Sequence, residues 1–344
     1  MNPDHPTTNP NAIGLDVGTS RIVAATPATD LGSYRFQSQL NAFVAIPFSK
    51  LTAMTLKREG IPHTVRPQEI VVHGNESERF ADLMNTEIRR PMTHGTLDAR
   101  EPDAVAMMRQ IIETMAPNPE STSGGGSARP RVCFTVPAAP LGGEESLTYH
   151  ETTVRQLLDQ MGYETRSINE GLAVVYGELE STNYTGIGIS CGGGLCNVCF
   201  SYLSVPVLSF SIAKAGDYID NSAASMTGER ANHIRLAKEG AFHFNGFFAD
   251  KVQQVISVYY DDMIKSLVSG LKDAFNTARN MPRLSRPIPL VLSGGTALPP
   301  GFRDRFEKIF RESEVPVQLS EVRLAANPLE TAAKGALIAA LAEM

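Results

Sequence analysis

The chain has 344 residues, 42% of them apolar and 20% charged, which is material for two cored domains. A formal net charge of −6, with Arg89-Arg90 as the longest basic run, excludes the electrostatic footprint of a nucleic-acid-binding protein. No apolar stretch approaches the ~20 residues of a membrane span, and the opening MNPDHPTTNPNA has neither the charged and apolar regions of a signal peptide nor the period of an amphipathic membrane helix. The expectation is a cytoplasmic protein that contacts neither membrane nor nucleic acid.

Residues 13–25 (IGLDVGTSRIVAA) read as two short apolar strands joined by a tight glycine turn. The stretch 117–131, with its STSGGGS, has the composition of a flexible surface loop. A buried-type strand follows at 132–137 (VCFTVP), then a helix over 143–161 with Leu147, Val154, Leu158 and Met161 facing inward. The strand–turn–strand pattern recurs at 187–199 (IGISCGGGLCNVC). Asp16 falls in register with Ser190 and Gly18 with Gly192, an offset of about half the chain, which suggests two similar halves. Residues 250–279 read as a long helix with Val252, Val255, Tyr259, Met263, Leu267, Leu271 and Phe275 at helical spacing. The strand at 289–293 (PLVLS) runs into Gly294-Gly295, and a helix starts near Pro300. The last helix has Asn327 as N-cap, Pro328 in first position and Glu330 where a capping box places it. Strands alternating with helices indicate an α/β protein with mixed sheets.

Cys191, Cys196 and Cys199 form a C-x4-C-x2-C run, the spacing of a plant-type iron–sulfur site, with Cys133 as a conceivable fourth ligand. The other reading is of small apolar side chains in a buried strand, since a strand over 195–202 sends Cys196 and Cys199 to opposite faces. The seven histidines show no metal-binding spacing.

The turn at Gly18-Thr19-Ser20 exposes successive backbone N–H groups, and Gly192-Gly193-Gly194 can do the same. Two such turns would clamp a polyphosphate. Asp16, at the end of a strand, can hold Mg²⁺ through its water shell. Ser293-Gly294-Gly295-Thr296 offers a flat shelf for a base or an α-phosphate.

Taken in order, GLDVGTS, RSINEGLAVVYG, GISCGGGLCNV, AKAGDYID, LSGGTALPPGF and NPLETAAKGAL resemble the core motifs of the actin superfamily, the fold of actins, heat-shock ATPases and sugar kinases. RPMTHGTLDA at 90–99, AKAGDYID at 213–220 and GER at 228–230 are most similar to bacterial MreB-type actins, and LSGGTALPPGF resembles actin itself. The resemblance runs from about residue 12 to 342. It implies two similar ribonuclease-H-like domains flanking a nucleotide cleft. The first is 1–165 with 325–344, including a small subdomain at 33–86; the second is 166–324, including a reduced subdomain at 216–250. It also implies ATP or GTP with Mg²⁺ as cofactors and a homopolymer as the partner. Asp16, Gly18, Thr19 and Ser20 match the first phosphate hairpin, and Gly192, Gly193 and Gly194 the second. Glu170 matches the group that orients the attacking water, which with Asp16 makes the catalytic pair. Gly294, Gly295 and Thr296 match the adenosine shelf, and Gly216 is a further nucleotide-binding position that the resemblance implies. Arg235 is one candidate ribose contact, and Lys238 with Glu239 the other. The helices after Glu170 and Asn327 resemble the crossing pair about which the domains rotate, with Gly171, Ala173 and Gly177 facing Ala332, Ala333 and Ala336.

Three departures from the family pattern matter. Ser190 stands where the second hairpin usually carries an acid, and Leu195-Cys196-Asn197 replaces a threonine and an acid, so binding with slow hydrolysis is expected. The segment after Asp220 is short. Phe242, Phe244, Phe247 and Phe248 are the sole candidate apolar patch, read first as packing of a shrunken subdomain and otherwise as the anchor of a filament contact. The functions weighed are a nucleotide-controlled filament, a monomeric nucleotide switch that binds a partner, and a sugar-kinase-type enzyme, the last lacking any sugar-binding insert.

Overall fold

The run AIGLDV has no polar residue but Asp16, the pattern of a strand covered on both faces, and it forms the middle of a five-stranded sheet. The computed structural model describes residues 12–30, 32–116, 129–141, 147–244, 248, 250–279 and 281–342. The polar opening, the glycine-rich part of the 117–131 loop, the first turn expected for the 143–161 helix, and Phe247 lie outside them.

In chain order the first part holds β1 (Ala12–Val17), β2 (Arg21–Pro27), β3 (Tyr34–Leu40), β4 (Phe43–Pro47), α1 (Lys50–Arg58), β5 (His63–Val65), β6 (Glu69–His73), α2 (Glu76–Met84), β7 (Met92–Thr93), β8 (Thr96–Leu97), α3 (Ala104–Glu113), β9 (Arg131–Val136), α4 (Thr148–Gln160) and β10 (Glu164–Asn169). Its main sheet has the order β10-β9-β1-β2-β3. β1 and β2 form an antiparallel hairpin, β3 continues antiparallel, and β9 joins β1 in parallel. A small lobe of β4-β6-β5, α1 and α2 encloses its own core of Val44, Ile46, Leu56, Ile70, Val72 and Phe80. Because β3 pairs with β2 in the main sheet, the lobe's own elements begin at Phe43. Ion pairs hold its base: Arg66 to Asp103 at 2.7 Å, and Arg89 to Glu101 and Asp103.

The second part holds α5 (Glu170–Glu178), β11 (Gly186–Cys191), β12 (Cys196–Tyr202), β13 (Val205–Ile212), α6 (Gly216–Thr227), α7 (Ala231–Gly240), α8 (Lys251–Thr277), β14 (Ile288–Ser293), α9 (Phe302–Glu312), β15 (Leu319–Leu324) and α10 (Thr331–Ala342). Its sheet order, β13-β12-β11-β14-β15, repeats that of the first: two antiparallel pairings, then a parallel strand beside the first hairpin strand. The glycine-turn repeat in the sequence is therefore a repeat of topology. The fold class is α/β with two similar halves.

The chain divides into two units at positions that differ in three places from the expected ones, residues 166–167 falling with the first unit. Residues 136–147 and 325–335 both belong with the second unit. The first segment is hydrogen-bonded to that unit through Ala138 N–H to Asn197 Oδ1, Ser211 N–H to Ala139 O and Leu141 N–H to Ser211 O. The second is bonded through Ala325 N–H to Leu292 O and Gly294 N–H to Pro328 O.

α8 buries Met263, Leu267, Leu271 and Phe275 as the spacing predicts. Over its first two turns Ile256 and Tyr260 take the inner positions, and Val252, Val255 and Tyr259 flank them. The phase shifts because aromatics cover Tyr260: Phe242 stacks on it at 5.1 Å, Phe244 meets it edge-on, and Phe248 stacks on Phe242. Phe242 is buried in the core, and Phe244 and Phe248 pack partly buried against it, as the subdomain-packing reading expects. α10 starts at Thr331 after a turn, yet the Asn327 carbonyl still accepts from Thr331 N–H as an N-cap carbonyl does.

α5 lies unusually close to its neighbours. A Cβ on Gly171 would stand 2.7 Å from Cys199 N, and one on Gly335 of α10 would collide with the Ala173 carbonyl. The expected crossing of small residues thus turns on Gly335, which the sequence reading passed over, with Ala333 and Ala336 buried beside it. Gly335→Ala is expected to destabilise the protein by about 3 kcal/mol, the upper range for overpacking a rigid contact. Urea unfolding checks this, and an unchanged midpoint would refute the close crossing.

Candidate functional site

In the first unit the turn between β1 and β2 is closed by Gly18 N–H to Arg21 O at 3.0 Å. The fully buried Asn41 clamps it, donating from Nδ2 to Gly18 O and from its backbone to Ser20 O. Gly95, in the β7–β8 turn, donates to Thr19 Oγ1 at 3.0 Å, and the same hairpin is fixed at its base by Leu97 N–H to Nδ1 of the buried His150. The N–H groups of Thr19 and Ser20 take no acceptor among the described residues, so they are open to an anion.

Asp16 is the penultimate residue of β1, beside this turn. Its Oδ1 accepts from the Thr135 hydroxyl at 2.7 Å, and Thr135 Oγ1 accepts from Val17 N–H at 3.0 Å. Burial pushes the Asp16 carboxyl up from 3.8 to about 6, against the lowering effect of that hydrogen bond.

In the second unit Gly192 N–H bonds Leu195 O at 2.9 Å and closes the turn. The Gly192 carbonyl accepts from Gly216 N–H at 3.1 Å and from Thr296 Oγ1 at 2.8 Å, while Gly193 O accepts from Asp217 N–H at 2.8 Å. Gly294 has φ +89°, and a Cβ there would overlap the backbone of Cys191. The structure therefore brings Gly192, Gly193, Gly216, Gly294 and Thr296 together around one turn, with Gly194 completing it and Gly295 exposed at the rim. The N–H groups of Gly193 and Gly194 have no acceptor among the described residues.

Glu170 is the first residue of α5, whose N-cap is Asn169, accepting from Leu172 N–H. Asn197, 2% exposed, donates from Nδ2 to Glu170 Oε2 at 2.7 Å. Its own Oδ1 is held by Ala138 N–H, which fixes the amide's orientation. Ser190 is buried opposite Asn197 in the hairpin. Of the candidate ribose contacts, Lys238 is 6% exposed and commits its ammonium to Asp220 at 2.7 Å and to Gly216 O at 3.2 Å. Burial raises Asp220 to about 6 despite this pairing. Arg235 is half-buried and bonds Asn232, and Glu239 is exposed. Lys238 thus supports the glycine cluster from behind.

The iron–sulfur reading of the cysteines is overturned. Cys191 and Cys196 face each other across the hairpin in the apolar core, Cys199 lies on the opposite face against Gly171, and no metal-binding cluster of three side chains exists among the described residues. No described helix is long and apolar enough to cross a membrane.

Residues 11–340 match the family model described as Volactin. The chain belongs to the Volactin family. No curated protein matches the sequence. Among solved structures, the MamK double helical filament is similar to this Volactin-family chain with 18% identity and TM-score 0.64, over 96% of this chain and 98% of that one. MreB5 of Spiroplasma citri bound to ADP is similar with 15% identity and TM-score 0.65, over 94% of each chain. The ethanolamine utilization protein EutJ from Carboxydothermus hydrogenoformans has 15% identity and TM-score 0.53, over 95% of this chain and 89% of that one. The Volactin-family chain has the actin-like fold of these structures, as its motifs imply.

The donor set suits a nucleotide with Mg²⁺. Open N–H groups on closed glycine turns match phosphate oxygens, and Mg²⁺ carried on phosphates needs only one or two protein carboxylates. Asp16 Oδ2, free of hydrogen bonds from the described residues, is one. Thr135, Asn41 and His150 went unremarked in the sequence. The signal for Thr135 was present: it is the one polar side chain inside the apolar run VCFTVP.

Because the folded carboxyl titrates near 6 and the unfolded one near 3.8, ionised Asp16 costs stability above pH 6 and none below 3.8. Asp16→Asn keeps an acceptor for Thr135. It is expected to raise the melting temperature of the nucleotide-free protein at pH 7.5, with the gain vanishing toward pH 4, while abolishing Mg²⁺-dependent nucleotide binding. Melting curves across pH, with calorimetric titration at pH 7.5, check both.

Proposed function

We propose that this Volactin-family chain is a cytoplasmic, actin-like protein that binds ATP or GTP with Mg²⁺ and assembles with copies of itself into filaments under nucleotide control. The observation that carries the reading is the pair of closed glycine turns with open N–H groups, Thr19-Ser20 beside Asp16 in one unit and Gly193-Gly194 in the other. They sit on a fold shared nearly end to end with a MamK filament and with a MamK variant and MreB5 solved with AMPPNP or ADP. The lobe whose elements begin at Phe43 and the short α6–α7 region, Gly216–Gly240, correspond to the outer subdomains, the second reduced.

Bound Mg²⁺ neutralises charge on the phosphates. Asp16 would offer an oxygen to the waters of such an ion, and Glu170, held by Asn197, would orient the attacking water. Ser190 and Asn197 carry no charge where acids are usual, so the protein is a slow ATPase. A second reading, a monomeric nucleotide switch, is favoured by the burial of Phe242 and the packing of Phe244 and Phe248 against it.

Sedimentation is expected to pellet filaments with ATP·Mg²⁺ and not with EDTA. Protein that binds ATP by calorimetry yet stays monomeric by light scattering in every nucleotide would establish the switch instead, and absence of binding sinks both readings. Phosphate release should be slow in the wild type and rise on the order of a hundredfold in Ser190→Asp. A rate indifferent to both Ser190→Asp and Glu170→Ala would remove these residues from the catalytic group.

A further inference from the structure

Thr135 is 1% exposed, and a buried hydroxyl must find partners. The parallel register of β1 and β9, with Leu15 opposite Phe134, brings Thr135 beside Asp16 and Val17. A hydroxyl has one hydrogen to give and lone pairs to receive. Val17 N–H can only donate, so it occupies a lone pair of Oγ1 at 3.0 Å. The single hydroxyl hydrogen is then directed at Asp16 Oδ1, 2.7 Å away. One lone pair of Oδ1 is thereby taken, and Oδ2 accepts no hydrogen bond from the described residues.

We propose that Thr135 is the positioning residue of Asp16: its hydroxyl, fixed by Val17 N–H, selects the carboxylate rotamer and leaves Oδ2 as the single oxygen offered to the waters of a phosphate-borne Mg²⁺. This rests on the nucleotide reading above. Thr135 touches neither nucleotide nor metal and acts only through Asp16. Outer-shell donors of this kind commonly govern metal affinity without contacting the ion. A threonine that merely filled space in β9 would be replaceable by valine, its isostere, with no selective effect on Mg²⁺.

The test measures ATP affinity by calorimetry in saturating Mg²⁺ and again in EDTA, for the full chain. In the wild type Mg²⁺ tightens binding. Thr135→Val is expected to cut that Mg²⁺ gain about tenfold to a hundredfold, leaving affinity in EDTA unchanged, and Thr135→Ser, which keeps both hydrogen bonds, to restore it. In an Asp16→Asn background Thr135→Val is expected to change nothing further. If the Val chain does not fold, Thr135→Cys takes its place, since a thiol fills the site with a much weaker donor. Equal losses in Mg²⁺ and EDTA, or an undiminished Mg²⁺ gain, overturn the proposal while leaving nucleotide binding intact. Wild-type protein that binds no ATP in either condition overturns the nucleotide reading and this proposal with it.

Discussion

The carbonyl oxygen of Gly192 is the atom on which the second-unit site depends. It accepts from Gly216 N–H and from the Thr296 hydroxyl, so both lone pairs are used. With the Gly193 carbonyl also taken by Asp217 N–H, two carbonyls of the turn are held by the protein. The N–H groups of Gly193 and Gly194 keep no acceptor among the described residues. Thr296 can reach only because Gly294 adopts φ +89° against Cys191, where a side chain has no room. Three distant stretches of sequence are thus tied at one oxygen.

The two halves share a topology and differ in charge. The first keeps a carboxylate, Asp16, under enough burial to raise its pKa to about 6. The second has Ser190 at the equivalent position and turns Asn197 toward Glu170. A site built from backbone N–H groups retains its attraction for phosphate when such acids are lost, because peptide dipoles do not depend on side-chain identity. Under the proposed function, the missing acids are charge that would be aimed at the reacting centre, which bears on rate more than on binding.

The fold was legible in the sequence because glycine turns, apolar strands and a capped last helix each leave a local mark. The hairpins at 13–25 and 187–199 and the α8 helix appear where spacing puts them. The first two turns of α8 were misphased because the covering aromatics, Phe242, Phe244 and Phe248, come from outside the helix. Lys238 is informative in the same way. A lysine in a short polar helix reads as a surface group or a ligand contact, and only tertiary structure reveals Asp220 beneath it. Gly335 was hidden among alanines, since its role depends on a carbonyl of another helix.

The Lys238–Asp220 pair, with both side chains 6% exposed, lies beyond the reach of dissolved ions. The pairs at the base of the small lobe differ, since Arg66 and Arg89 expose 28% and 37% of their side chains. Mobile ions screen partly exposed charges and leave enclosed ones nearly untouched. Rising ionic strength therefore acts unequally on the molecule. It loosens the lobe's attachment while the support beneath Gly216 keeps its strength, so salt becomes a means of softening one part of the protein without disturbing the glycine cluster.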